Sequence, residues 1–148
     1  MSQIIEPAKL EDLPAIFALL ERSGLPTDGL SEHVTTTLVA REGQRVVGSA
    51  SLELYGTEAL LRSVAVEHDK RRHGLGQQLT HAALNLAKKY RVREVYLLTE
   101  TAGAFFPRFG FHSISRSEVA PAVQASVEWT STCPVTAQAM VKKLTTRR

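Results

Sequence analysis

The stretch of sequence that decides the fold is RSVAVEHDKRRHGLGQQL, residues 62–79, in which an apolar strand leads through a basic turn into an amphipathic helix. The first N–H groups of a helix have no partner within it, and the helix dipole adds partial positive charge at the same end. The turn contributes Gly74, Gly76 and the basic side chains of residues 70–73. The segment therefore predicts a pyrophosphate site. The alternative is that the glycines serve only close packing and that the basic run is a solvated loop.

Two common phosphate-binding loops do not fit this turn. A Walker loop requires Lys followed by Ser or Thr after its last glycine, whereas Gln77 and Gln78 follow Gly76 here. A dinucleotide-binding loop requires a third small residue, and Leu79 stands at that spacing. The turn is therefore of another type.

The pattern that fits is RxxGxG, formed by Arg71, Gly74 and Gly76 after an apolar strand. It resembles motif A of the GNAT superfamily, the acetyl-CoA-dependent N-acetyltransferases. The resemblance implies that the turn binds the pyrophosphate of CoA, and that the strand binds the pantetheine arm and presents the Val66 N–H to the acetyl carbonyl. The cofactor-binding residues implied in this segment are Val64, Ala65, Val66, Arg71, Arg72, His73, Gly74, Leu75, Gly76 and Gln77.

A second segment, TETAGAFFPRFGF at residues 99–111, is similar to another GNAT signature, a short aromatic helix that ends in Gly-Phe. The resemblance implies cofactor contacts for Thr101, Phe105 and Phe106, whereas Phe109 and Phe111 are expected to pack beneath the sheet. Phe106 stands where many members have the tyrosine that protonates the leaving thiolate. Solvent or Tyr96 are the remaining candidates for that role.

Three segments together are similar to a narrower group, the bacterial arsenic-resistance N-acetyltransferases. They are LLRSVAV at 60–66, YLLTETAGAFFPRFGF at 96–111 and SVEWTSTCPVTAQAM at 126–140. The resemblance implies acetylation of the α-amino group of arsinothricin or phosphinothricin, which are glutamate-like amino acids. It also implies a homodimer.

Periodicity along the chain predicts an α+β fold. Strand patterns occupy residues 3–6, 36–41, 45–54, 58–66, 94–99, 111–114 and 138–144, and helices are predicted from Asp12, after the basic turn and at 102–109. A crossover helix precedes the 94–99 strand, so that strand should run parallel to the 58–66 strand. We expect a mostly antiparallel mixed sheet, splayed between its fourth and fifth strands and flanked by helices, as in the GNAT fold.

Length and composition favour one cytoplasmic domain over residues 1–148, with a flexible tail at 145–148. A chain of 148 residues can bury about two-thirds of its unfolded surface. It contains a single cysteine, Cys133, no apolar run near the length of a membrane span and no signal-peptide pattern. Its formal net charge of +3 comes largely from the C-terminal tail, so we expect neither a nucleic-acid nor a membrane partner. The histidines lack zinc-ligand spacing, and no metal is expected.

An α-amino group needs little help from a base, because its intrinsic pKa of about 7.7–8.0 leaves roughly a tenth or more as free amine at neutral pH. Direct attack on the thioester then requires mainly positioning and an oxyanion donor. Glu53 and Glu100 are the candidate bases acting through water, and each is alternatively a solvated charge at a strand edge. Cys133 is expected to be structural.

The acceptor's anionic groups call for arginine, whose planar fork matches carboxylate oxygens. Arg62 is the first candidate because it interrupts an apolar strand, where it requires either a bound anion or a structural carboxylate. Arg72 and His33 are the others.

Two rival functions remain open. One is acetylation of another amino acid, a polyamine or a protein N-terminus. Residues 23–35 contain only Asp28 and Glu32 as acids, which argues against a polyamine. The other is a non-catalytic acetyl-CoA sensor, suggested by Phe106 at the tyrosine position.

Overall fold

The computed structural model describes residues 3–71, 74–99, 105–126 and 137–144. Within these ranges, seven strands form one mixed sheet in the order β1-β2-β3-β4-β5-β7-β6. The strands are β1 Ile4–Pro7, β2 Thr37–Glu42, β3 Arg45–Tyr55, β4 Glu58–Val66, β5 Glu94–Thr99, β6 His112–Ile114 and β7 Gln138–Lys143. The α-helices are α1 Leu13–Arg22, α2 Leu75–Lys89 and α3 Pro121–Gln124.

The predicted fold class is confirmed. Strands β1 to β4 pair antiparallel with their neighbours, β4 and β5 are parallel, and β7 pairs antiparallel with both β5 and β6. The parallel pair is adjacent to the crossover helix α2, as the strand-helix-strand pattern predicts. No helix in the described ranges has the length and apolar content that a bilayer span requires.

Short 3-10 helices replace parts of the expected local structure. The segment expected as a helix at 102–109 is a 3-10 helix at Phe106–Phe109, and residues 102–104 lie outside the described ranges. Another 3-10 helix, Leu30–Thr36, follows the glycine-rich loop after α1. Pro107 stands in the first turn of the helix at Phe106–Phe109, a position that suits proline. Gly110 ends that helix in the left-handed conformation.

The hydrophobic core lies on both faces of the sheet. Helix α2 packs on one face through a stripe that includes Leu75, Leu79 and Ala83, whereas Ile16 and Leu20 of α1 pack on the other. These spacings of three and four residues place the apolar side chains on one side of each helix. Tyr90 ends α2 as its C-cap residue and is exposed.

A β-bulge interrupts β4 at Ser63. The register runs from the pair Ser51 and Arg62 to the pair Ser49 and Ala65, so that two residues of β4 stand opposite Ala50. Ser63 has φ 60°, a left-handed conformation that is uncommon outside glycine. The bulge shifts the side-chain alternation of the strand, which places Ala65 against the α1 face.

Candidate functional site

The sheet opens between β4 and β5. Their parallel register ends at Leu60 and Tyr96, whereas β4 continues to Val66. The Glu67 N–H donates to Val47 O at 2.8 Å on the β3 side. Because successive N–H groups of a strand point in opposite directions, the Val66 N–H points into the opening. The geometry therefore agrees with the oxyanion donor that the resemblance implies.

Helix α2 begins beside this opening. Gly74 is its N-cap residue with φ 79° and has no side-chain cap, so the first-turn N–H groups are available to a ligand. The Leu75 side chain is buried, which leaves only its backbone for a cofactor contact. Gln77 is exposed in the same turn.

Packing does not require a glycine at position 76. Its φ is not in the left-handed region, and a Cβ there would lie 3.6 Å from Phe105 Cζ and 3.7 Å from Val66 Cγ2, which are ordinary contacts. The bare backbone at Gly76 thus leaves space between Phe105 and Val66, directly beside the helix N-terminus. A ligand that approaches this backbone closely would use that space.

The turn before α2 is held to the rest of the protein by ion pairs. Lys70 Nζ lies 2.7 Å from Glu42 Oε1, and Asp69 pairs with Arg45 at 3.3 Å. The Lys70 ammonium therefore already has a carboxylate partner, so its expected phosphate contact is not supported by the geometry. Arg71 Nε donates to Val66 O at 2.9 Å at the edge of the opening. Arg72 and His73 lie outside the described residues.

The aromatic signature divides between the site and the core. Phe105 is half-buried next to Gly76, and its ring contacts Phe106 and Phe109 at centroid distances of 5.0 and 5.2 Å. Phe106 is buried against Phe111 in the core. Phe105 is thus positioned near the opening, as expected, whereas Phe106 packs away in the core. Glu100 and Thr101 lie outside the described ranges.

A buried polar cluster, here called the Glu53 cluster, lies on the sheet face opposite α2. It comprises Glu53, Tyr55, Arg62, Ser126 and His33. The side chains of Arg62 and Glu53 are 0% and 1% exposed, and Arg62 Nη1 donates to Glu53 Oε2 at 2.9 Å. The Tyr55 hydroxyl donates to Glu53 Oε1, and His33 Nε2 lies 3.9 Å from Glu53 Oε2.

Glu53 is poorly suited to act as a base. Burial opposes ionisation of its carboxyl, but hydrogen bonds from Ser126, Tyr55 and Arg62 outweigh it and hold the pKa of Glu53 below its usual range. A carboxylate so stabilised has little tendency to take a proton. Burial and the adjacent Glu53 carboxylate raise the pKa of the Tyr55 phenol, which therefore stays protonated. Glu53 thus has a structural partner in Arg62, and its role as a base acting through water stays a prediction that this geometry does not favour.

Arg62 has a structural carboxylate as a partner, which is one of the two partners that the sequence allows. That carboxylate is Glu53. The Arg62 guanidinium also donates to Asp28 O at 2.7 Å and to Pro26 O at 3.3 Å. A direct contact between Arg62 and the acceptor is therefore not supported. His33 and Tyr55 are the partly exposed members of the cluster, and 22% of the His33 side chain is accessible.

Tyr96, a candidate proton donor for the leaving thiolate, is buried and donates to Glu94 Oε1 at 3.2 Å. Burial and the Glu94 carboxylate raise the pKa of the Tyr96 phenol to about 12. Such a phenol holds its proton too tightly to release it readily at neutral pH.

Sequence reasoning missed Tyr55, Ser63 and Ser126. Tyr55 could have been found, because residues two apart in a strand share a face and Tyr55 follows Glu53 at that spacing. Ser63 and Ser126 carry no local signal, since one depends on a bulge and the other on a long-range contact. Within the described residues, no group of three or more His, Cys, Asp or Glu side chains is arranged to hold a metal ion.

Comparison with known proteins agrees with this geometry. The acetyltransferase (GNAT) domain model matches residues 33–113. An uncharacterised N-acetyltransferase of Chlorobaculum tepidum is 31% identical over 99 residues, which cover 66% of this chain and 61% of that protein. The chain thus aligns with about three-fifths of that relative's length.

Two solved structures share the fold. Rv2747 from Mycobacterium tuberculosis, solved in complex with CoA, aligns with a TM-score of 0.81 at 23% identity over 96% of this chain and 99% of its own. N-acetylglutamate synthase from Neisseria gonorrhoeae, complexed with coenzyme A and N-acetyl-glutamate, aligns with a TM-score of 0.82 at 19% identity over 98% of this chain and 36% of its own. Since the family model covers more than half of the sequence and the opened sheet has the corresponding architecture, the protein belongs to the GNAT acetyltransferase family.

Proposed function

We propose that this protein transfers the acetyl group of acetyl-CoA to the α-amino group of a glutamate-like amino acid, with arsinothricin and phosphinothricin as the leading acceptors. The observation that carries the proposal is the opening of the sheet beside the N-terminus of α2. There the Val66 N–H and the first N–H groups of the helix face the same space. Such an arrangement suits a thioester carbonyl at one end and a pyrophosphate at the other.

Direct attack by the amine accounts for the groups that are present. The Val66 N–H stabilises the charge that develops on the carbonyl oxygen as the amine nitrogen bonds to the carbonyl carbon and the thiolate departs. A free α-amine needs positioning more than proton removal, since its intrinsic pKa is about 7.7–8.0. This agrees with Glu53 being tied to Arg62 rather than placed as a base.

The acceptor class is supported by two observations of different kinds. The sequence resembles the arsenic-resistance enzymes over three segments, and a protein of the same fold, from Neisseria gonorrhoeae, is complexed with N-acetyl-glutamate. Arg72 and His33 remain the proposed contacts for the acceptor's anionic groups, and Glu100 the proposed base acting through water.

A thiol-release assay with acetyl-CoA tests the acceptor class. We expect turnover with phosphinothricin, arsinothricin or glutamate, and much slower turnover with spermidine and with peptides. A preference for spermidine or for a peptide N-terminus would contradict the proposed acceptor. Binding of CoA without turnover on any of these amines would favour the sensor function.

Substitution of Gly76 tests the cofactor site separately. Gly76→Ala places a methyl group where packing tolerates it but where the proposed ligand approaches the backbone. We expect unchanged or slightly raised thermal stability, because alanine is the better helix former by about 1 kcal/mol, together with weaker CoA binding in calorimetric titration.

The matched control is Gly43→Ala in the β2–β3 turn. Gly43 has φ 63° and open space around its Cα, so this variant should lose stability through backbone strain and bind CoA as the wild type does. Equal CoA affinity in Gly76→Ala and the wild type would contradict the proposed cofactor site.

A further inference from the structure

The loop after α1 contacts β4 beside the opening through the Arg62 side chain. The Arg62 guanidinium donates to Asp28 O at 2.7 Å and to Pro26 O at 3.3 Å, and Leu25 and Leu30 bound this stretch of loop. Arg62 belongs to β4 two residues beyond Leu60, where the pairing with β5 ends. The loop therefore covers the sheet at the edge of the opening.

This loop covers the face that α2 leaves uncovered. Ala65 packs with α1 residues on that face, whereas Val66 packs with the α2 side. An amine that approached the carbonyl beside Val66 from the α1 face would come close to the loop at residues 25–29. The position of that loop would then affect how the acceptor binds.

Arg62 also holds the bulge of β4. Its Nε donates to the Ser63 hydroxyl at 3.1 Å, and the Ser63 carbonyl accepts from Ser49 Oγ at 2.7 Å. Ser63 directly precedes the residues whose N–H groups line the opening. The Arg62 guanidinium thus contacts both the loop at residues 25–29 and the β4 bulge. The bulge in turn determines the direction of the Val66 N–H.

We propose that Arg62, neutralised and oriented by Glu53, is a positioning residue that sets the acceptor-side loop at residues 25–29 and the β4 bulge relative to each other. The guanidinium suits this role because its planar fork presents donors in several fixed directions at once. The lysine ammonium has a single nitrogen, so it cannot contact two loop carbonyls, a carboxylate and a hydroxyl at the same time. The part of the role that concerns the acceptor rests on the acetyl transfer proposed above; the holding of the loop does not.

The test is hydrogen exchange of the free protein with Arg62→Lys, which keeps the charge beside Glu53. Two amides at the ends of the loop serve as reporters, since the Leu25 N–H donates to Leu20 O and the Leu30 N–H to Thr27 O. We expect these amides to exchange about tenfold faster or more in the variant, because charge-assisted hydrogen bonds that hold the loop are lost. Unchanged exchange at Leu25 and Leu30 would overturn the proposal.

The matched control is Arg41→Lys. Arg41 is also a sheet arginine paired with carboxylates, but its partners are Glu6 in β1 and Asp12 at the start of α1. It should leave the exchange of Leu25 and Leu30 unchanged. Faster exchange of both amides in this control as well would show that the whole structure opens more readily. That result would also overturn the specific role of Arg62.

Kinetics separate positioning from direct recognition of either carboxylate of the acceptor. If Arg62 positions the loop, Arg62→Lys raises KM for glutamate, glutamine and isoglutamine by the same factor, about tenfold, with the KM for acetyl-CoA unchanged. Glutamine lacks the side-chain carboxylate and isoglutamine lacks the α-carboxylate. A loss confined to the substrates that carry one of these carboxylates would identify a direct anion contact and refute the proposal.

Two further outcomes remain decisive. If no amine is a substrate, the acetyl-transfer proposal fails while the exchange measurement still decides the role of Arg62. If Arg62→Lys does not fold, Tyr55→Phe removes a hydroxyl from Glu53 and leaves the Glu53–Arg62 pair in place. It should accelerate exchange at Leu25 and Leu30 in the same direction by a smaller factor, and no acceleration would count against the proposal.

Discussion

Ser63 shows how one residue with an unfavourable backbone shapes the site. Its φ of 60° costs roughly 1 kcal/mol for a residue other than glycine. The conformation persists because its carbonyl accepts from Ser49 and its hydroxyl accepts from Arg62. Backbone strain of this kind is retained where the surroundings determine it strongly.

Two substitutions of Ser63 should distinguish the effect of backbone strain on stability from the effect of the lost hydrogen bond. Ser63→Ala keeps the strained φ and removes the acceptor of the Arg62 Nε–H, so we expect a loss of about 1–3 kcal/mol in the free energy of unfolding. Ser63→Gly removes the same acceptor but relieves the strain, which offsets about 1 kcal/mol of that loss. Urea titration should rank the wild type above Ser63→Gly and Ser63→Ala last. A Ser63→Ala variant as stable as the wild type would contradict the account of the bulge.

At the scale of elements, the Leu79 side chain of α2 packs over a glycine of β3. A Cβ on Gly48 would lie 2.7 Å from Leu79 Cδ1 and 3.3 Å from Ala65 O. The first distance is far below a normal contact, so a side chain at position 48 would force the buried Leu79 side chain to shift. The same helix begins at the proposed pyrophosphate site.

The methyl group that Gly48→Ala adds should clash with the Leu79 side chain. We expect a loss of about 1–3 kcal/mol from overpacking, measured by urea titration. Leu79→Ala alone should cost about 2–5 kcal/mol through the cavity it leaves. The double variant should lose less than the sum, because the shortened side chain makes room for the new methyl group. Strict additivity would mean that the two side chains do not compete for this space.

At the scale of the whole molecule, several carboxylates have pKa values below their usual range. A hydrogen bond from Arg41 is the largest cause for Asp12. For Glu53, hydrogen bonds from Ser126, Tyr55 and Arg62 outweigh the opposing effect of burial. A carboxyl with a lowered folded pKa stabilises the folded state above its unfolded pKa of about 4, and that stabilisation is lost as the pH falls further. The protein should therefore be stable near neutrality and lose stability in acid.

The loss of stability in acid should come from protonation of Glu53 and Asp12 more than from the exposed ion pairs. We expect the urea midpoint to hold between about pH 7 and pH 5 and to fall below about pH 4. Roughly 1 M salt should change this profile little, since salt screens exposed pairs far more than buried ones. In Glu53→Gln the midpoint at neutral pH should be lower and its decline in acid shallower. A midpoint that is equal at pH 3.5 and pH 7, within error, would contradict this assignment.

Local patterns were sufficient for the seven strands, for α1 and α2 and for the opening of the sheet, but not for α3 or for the 3-10 helix at Phe106–Phe109. The apolar strand, the glycines of the turn and the stripe of α2 each reflect preferences of the backbone over a few residues, and the crossover helix implies the parallel pair. The side-chain contacts were less predictable. Phe105 and Phe106 are adjacent and equally apolar, and only the packed structure shows that one lies beside Gly76 and the other in the core.

What the sequence by itself determined is the strand-turn-helix unit at residues 62–79, and with it the prediction of an anion site at a helix N-terminus. Hydrogen-bonding geometry and the helix dipole act within such a unit and need no distant partner. Only the tertiary structure decided what Arg62 does. Its pairing with Glu53 depends on the register of β3 against β4, and its contacts with Pro26 and Asp28 on a loop more than 30 residues earlier in the chain. Contacts of this kind arise when whole elements pack together, and for that reason no local pattern contains them.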